Sequence, residues 1–190
     1  MRLILASTSR YRRDMMARLG LPFACQPPEV DETPLAGERP RHIARRLARA
    51  KAMAVAARRP GSLIVGADQV ASLDGEPVGK PGDLDRARDQ LRRLAGHRVD
   101  FHSGLCVTDG KRQELACVKT ACRFRALSAS DIDTYLEREQ PFDTAGSAKA
   151  EGLGIALMDA MTSDDPTAII GLPLIALCRL LRSFGMDPLR

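Results

Sequence analysis

Residues 63–80, Leu-Ile-Val-Gly-Ala-Asp-Gln-Val-Ala-Ser-Leu-Asp-Gly-Glu-Pro-Val-Gly-Lys, constrain the fold more than any other stretch of the chain. The apolar run Leu63-Ile64-Val65 is too short for a helix and is bounded by Gly66, so it reads as a buried strand. Asp68 follows at once. An α/β sheet tends to place its ligand sites just past the carboxyl ends of such strands. Asp74-Gly75 is a hairpin signal that returns the chain toward Gly79-Lys80-Pro81. A carboxylate with a lysine across a turn suits phosphate chemistry. A solvated aspartate at a strand end is the alternative.

Upstream, residues 2–6 read as a first strand, running through Ser7-Thr8-Ser9 into a helix capped by Ser9. Met15, Met16 and Leu19 share one side of it, and Gly20 stops it. Hydroxyls at a helix start, with Arg12 and Arg13 beside them, suit a polyphosphate, because the helix dipole already favours an anion there. Residues 22–40 carry five prolines and read as irregular connection with a short strand near Phe23–Gln26. Within them Glu29, Asp31 and Glu32 form either a carboxylate cluster for a hard cation or a solvated acidic turn. Residues 41–58 are the clearest helix, with Ile43, Leu47, Ala50 and Ala54 on one face and Lys51 at its edge.

Downstream, Asp83–Ala95 is a second amphipathic helix with Leu84, Ala87, Leu91 and Leu94 inward. Residues 97–107 and 113–124 form a long hairpin around Asp109-Gly110. Ser128 and Asp131 make a capping pair for a third helix. The segment from Asp143 to Gly154 is small and polar and leaves Glu151 little shielded, and Gly171-Leu172-Pro173 opens a strongly apolar core helix.

Composition removes several function classes. No apolar stretch approaches the roughly 18 residues that span a bilayer. The apolar N-terminal run ends after five residues, shorter than the roughly 7–15 of a signal segment, so a cytoplasmic protein is expected. The five cysteines are scattered with no C-x-x-C pair, which suggests neither a disulfide framework nor a zinc site. The net charge of +5 is spread along the chain, and two Tyr with no Trp offer little to stack bases on, so a dedicated nucleic-acid binder is disfavoured. The histidines 42, 97 and 102 show no metal-ligand spacing.

Four blocks in order carry a resemblance: Leu5-Ala6-Ser7-Thr8-Ser9 with Arg12; Asp31-Glu32 followed by Lys51-Ala52; Gly66-Ala67-Asp68 with Gly79-Lys80-Pro81; and Gly171-Leu172-Pro173-Leu174. Together they resemble the Maf family of nucleotide pyrophosphatases over nearly the whole chain, with no second domain left over. The resemblance implies an α/β fold of the inosine-triphosphate-pyrophosphatase kind, a two-lobed mixed sheet with flanking helices and the site in the cleft. It implies cleavage of a small nucleoside triphosphate to monophosphate and diphosphate with a divalent cation, Mg²⁺ or Mn²⁺. Asp68 matches the catalytic position; Ser7, Arg12, Glu32, Lys51 and Lys80 match the pocket, with Glu32 and Asp68 as metal ligands. The chain is most similar to the 7-methyl-GTP branch, whose base-selecting positions correspond to Tyr11, Gln69 and Glu151, although Arg10-Tyr11 stands where Pro-Trp is expected. A dTTP or UTP pyrophosphatase, or a non-catalytic nucleotide-binding regulator of division, are the alternatives, and a homodimer is left open.

Overall fold

The computed structural model describes residues 1–190. Seven strands form one mixed sheet: β1 (Arg2–Ala6), β2 (Phe23–Gln26), β3 (Ser62–Leu73), β4 (Glu76–Val78), β5 (Arg98–Thr108), β6 (Gln113–Phe124) and β7 (Met158–Ser163). The order is β2-β1-β3-β5-β6-β7, with β4 pairing separately to β3. The pairs of β1 with β2 and β3 are parallel, and all others are antiparallel. Five helices flank the sheet: α1 (Arg10–Ala17), α2 (Pro40–Arg58), α3 (Leu84–Leu94), α4 (Ala129–Glu139) and α5 (Leu174–Ser183). The mixed α/β sheet expected from the resemblance is the observed one. No helix is long and apolar enough to cross a membrane.

Alternation along the strands divides the packing. Leu3, Leu5, Leu63 and Val65 face one way, onto Met15 and Met16 of α1 and Leu177 and Leu181 of α5. Ile4, Ala6 and Ile64 face the other way, onto Ala48, Ala52 and Val55 of α2. A separate apolar cluster joins Val99, Phe101, Cys122 and Phe124 at the far ends of β5 and β6 to α3 and α4. Packing on both faces of β1 and β3 builds one lobe, and the cluster at the far ends of β5 and β6 builds the other.

Strand β3 is much longer than the apolar run 63–65 suggests, because it continues through the site to Leu73. Its neighbours on one side do not. β1 pairs with it only up to Ala6 opposite Gly66, and β4 begins at Val78 opposite Ala71. Residues 67–70 of β3 therefore have no strand on that side, a gap of about 13 Å along the strand. The sequence places a ligand site past the end of the 63–65 strand; the opening in the sheet lies past the end of β1 instead.

Helix α2 crosses β3 and β5 at unusually short range. A Cβ built on Gly66 would lie 2.2 Å from the Ala48 carbonyl oxygen, and one on Gly104 would lie 2.2 Å from that of Ala44. The helix presents Ala44, Ala48 and Ala52 to these glycines. Its buried stripe is accordingly Ile43, Ala44, Leu47, Ala48, Lys51, Ala52, Val55 and Ala56, whereas Ala50 and Ala54 of the expected face are only half-buried. Leu84 also departs from expectation, being 43% exposed at the first turn of α3.

Asp165, 2% exposed, takes the role that the N-cap residue Pro173 cannot. Its carboxylate accepts from the amides of Ile175 (2.7 Å) and Ala176 (3.1 Å), and from the hydroxyl of Thr167 (2.6 Å). This anchors the turn before α5.

Gly104→Ala should lower stability by about 2–3 kcal/mol, because the new methyl meets helix backbone that has nowhere to move. Urea denaturation would show it as a lower midpoint at unchanged slope.

Candidate active site

A cavity of about 750 Å³ opens in the gap beside β3. The loop leaving β1 supplies Ser7 to its walls and the first turn of α1 supplies Tyr11 and Arg12; β3 supplies Asp68 and Gln69; α2 supplies Lys51; and the segment after β4 supplies Lys80. Glu32 reaches in from the irregular segment before α2. Eight of the nine residues singled out in the sequence thus meet in one place.

At its floor Lys51 Nζ donates to Asp68 Oδ1 at 2.7 Å and lies 2.8 Å from Glu32 Oε1. Lys51 is 4% exposed and Asp68 5%. Lys51 is not at the edge of the apolar face of α2; it lies within the buried stripe, and the close approach of the helix drives its ammonium onto the strand. Burial pushes the Asp68 carboxyl above its ordinary value, against the opposing pull of Lys51 and Arg12. Burial likewise lowers the Arg12 guanidinium, while Asp68 and Glu32 favour its charge. Arg12 Nε donates to the Gly171 carbonyl at 3.0 Å. Gly171 holds φ +101°, in the left-handed region, so that the turn from Asp165 to Pro173 meets the site.

The three acidic residues of the 29–32 segment do not cluster. Glu29 pairs with Arg58 at 2.6 Å, Asp31 accepts from the Thr33 amide at 2.9 Å, and only Glu32 turns to Lys51. No group of three or more His, Cys, Asp or Glu side chains is gathered for a metal anywhere in the chain. Mg²⁺ commonly binds through one or two carboxylates together with substrate phosphates. Asp68 and Glu32, converging on one ammonium, fit a cation of that kind.

The upper walls differ from expectation in two ways. One face of the Tyr11 ring is already covered: the Arg10 guanidinium carbon lies 4.7 Å from the ring centroid, and Arg10 donates to the Tyr11 hydroxyl at 2.8 Å. Glu151 is exposed and is not among the cavity walls, where Asp143 stands instead. The carboxylate of Glu151 is close enough to Asp143 to feel its charge. Sequence reasoning missed Arg10 and Asp143. Arg10 was visible as the neighbour of Tyr11, but nothing local marks Asp143.

Gln69 is held in one orientation. Its Nε2 donates to the Ser103 hydroxyl (3.0 Å) and to the carbonyls of Ala168 (3.0 Å) and Ile169 (2.9 Å). The amide can therefore offer a ligand only its oxygen. Ser7 is buried, and its hydroxyl accepts from the Ser9 amide at 3.1 Å, fixing the loop that begins α1. Lys80 is exposed and forms no ion pair.

A buried carboxylate among cations, at the start of a helix and in a cavity of nucleotide size, describes a phosphate-handling enzyme. The chain belongs to the Maf-like proteins, whose family pattern matches residues 2–184. A Bordetella avium protein named 7-methyl-GTP pyrophosphatase is 65% identical over 100% of this chain and 96% of its own length. A Bordetella pertussis protein of the same name is 64% identical over 99% and 94%, and one from Burkholderia thailandensis 56% identical over 97% and 88%.

Replacing Lys51 by Met should raise the Asp68 pKa further, since the nearest opposing charge is lost while burial stays. Carbon-13 carboxyl titration of wild type and variant would measure the displacement.

Proposed function

We propose that this protein hydrolyses 7-methyl-GTP to 7-methyl-GMP and diphosphate. The observation that carries the chemistry is the buried Asp68–Lys51–Glu32 group set in the gap between β1 and β4. The substrate follows from the near-full-length relatives that bear this name and from the chemistry of the upper walls.

The triphosphate is negative, and the cavity meets it with Arg12, Lys80, Lys51 and the first turn of α1. Asp68 accepts the proton of a water as its oxygen bonds to one phosphorus of the α–β anhydride. The bridging P–O bond breaks and the diphosphate leaves. The raised pKa of Asp68 suits it to this task, because a more basic carboxylate takes a proton from water more readily. Lys51 holds the carboxylate in place and limits that rise. A divalent cation held by Glu32 and Asp68 would neutralise charge on the phosphates and the leaving group.

N7-methylation makes guanine cationic while its N1–H and 2-amino group remain donors. The Tyr11 ring offers a cation–π surface worth about 0.5–2 kcal/mol. The fixed oxygen of Gln69 offers an acceptor to those donors. Glu151, outside the cavity lining but near enough to Asp143 to feel its charge, adds to the negative potential there. Pyrimidines present a single ring N–H and no amine, so they satisfy fewer of these acceptors. Five unpaired cysteines support a reducing, cytoplasmic setting.

Diphosphate release with Mg²⁺ from 7-methyl-GTP, GTP, dTTP and UTP tests the reading. A clear preference for 7-methyl-GTP is expected, and preference for dTTP or UTP would overturn the base assignment. Asp68→Asn should cut kcat by about a hundredfold or more, and near-normal turnover would remove Asp68 as the base. The acid limb of kcat/KM should lie above the ordinary carboxylate range, with activity falling as pH drops through the raised Asp68 value and protonates it.

A further inference from the structure

Arg10 and Asp143 both line the cavity, one at the start of α1 and the other in the turn after α4, near enough for each to feel the other's charge. Neither has a role in the phosphate chemistry described above. Arg10 is placed against local preference: it opens a helix whose first turn holds no acidic residue, where the dipole disfavours a cation. Its guanidinium folds back onto Tyr11, 4.7 Å above the ring, with one nitrogen 2.8 Å from the hydroxyl. The hydrogen bond to Tyr11 and, at longer range, the charges of Asp143 and Asp14 hold it firmly protonated.

Asp143 is 63% exposed. Its nearest cation, Lys149, is 3.8 Å away and spends its ammonium on the carbonyls of Glu139 (3.0 Å) and Gln140 (3.3 Å). The carboxylate therefore keeps most of its charge for whatever enters the cavity.

We propose that Arg10 and Asp143 are a pair of specificity-determining residues that set, with opposite signs, how far the site separates a cationic methylated purine from its neutral parent. This rests on the reading that the base lies against Tyr11. A base carrying positive charge on that ring meets Arg10 as a like charge, which also draws on the same ring quadrupole. It meets Asp143 as an opposite charge on the cavity wall. A neutral guanine feels neither strongly. The two substrates carry the same triphosphate, so any change in phosphate binding cancels in the ratio of their kcat/KM values.

The experiment measures kcat/KM for 7-methyl-GTP and for GTP in wild type, Arg10→Gln, Asp143→Asn and the double variant, at low and high salt. Arg10→Gln should raise the methylated-to-unmethylated ratio and Asp143→Asn should lower it, each by about threefold at low salt, with both changes shrinking as salt screens them. The double variant should return toward the wild-type ratio. Loss of folding or of phosphate binding would lower both kcat/KM values and leave the ratio unmoved. A ratio unchanged in both single variants, or moved the same way in both, overturns the proposal. A wild type without preference for 7-methyl-GTP would instead overturn the function on which it rests, so the two failures are told apart.

Discussion

The structure depends on helix α2 lying almost in contact with the backbone of β3 and β5. Two glycines, 66 and 104, supply the room, and the alanines 44, 48 and 52 supply the matching narrow helix face. Nothing larger than hydrogen fits on the sheet side, so the helix axis and its rotation are both fixed. Fixing the rotation fixes Lys51. A lysine carried on that stripe is held close to the strand beneath, at the edge of the cavity, and finds its counter-charge there. It finds Asp68, and the buried pair becomes the floor of the cavity.

That pair is costly to a fold. Taking two charges out of water is offset by their mutual attraction only when geometry is good, and removing one partner of such a pair typically costs about 3–5 kcal/mol. Here the partners meet at 2.7 Å, with Glu32 closing the other side of the ammonium. Partial compensation leaves Asp68 more basic than an ordinary aspartate. The sheet contributes as much as the charges do. Because β1 stops at Ala6 and β4 starts only at Val78, four residues of β3 border a cavity in place of a neighbouring strand. Side chains from both faces of the strand, Asp68 and Gln69, can line it.

Much of this was readable from local pattern. The strand at 2–6, the Ser9 cap, the hairpin around Asp109-Gly110 and the Ser128–Asp131 capping box lie where their residues place them, because each is decided by neighbours within a few positions. The failures share a different cause. Helical periodicity put Ala50 and Ala54 on the buried face and Lys51 at its edge, since hydropathy weighs apolar size and gives no credit to a narrow surface. The glycine contacts reverse that choice. The acidic run at 29–32 looked like one cluster, yet its members turn to Arg58, Thr33 and Lys51, partners that proximity in sequence does not reveal. Asp165, which anchors the start of α5 from ten residues upstream of the amide it receives, looked like an ordinary polar loop residue.

By itself the sequence determined most of the elements, though not β7 or the full run of β3, together with the family and most of the residue types that gather in the cavity, because these are encoded in short-range pattern and in motifs that survive being read as a string. Only the tertiary structure decided which strand ends at the site, how deeply Lys51 is buried, and that Arg10 covers the Tyr11 ring while Asp143, not Glu151, lines the cavity. Those outcomes are set by how closely backbones approach and by which distant charges share a low-dielectric space, and neither quantity has a value until the chain is folded.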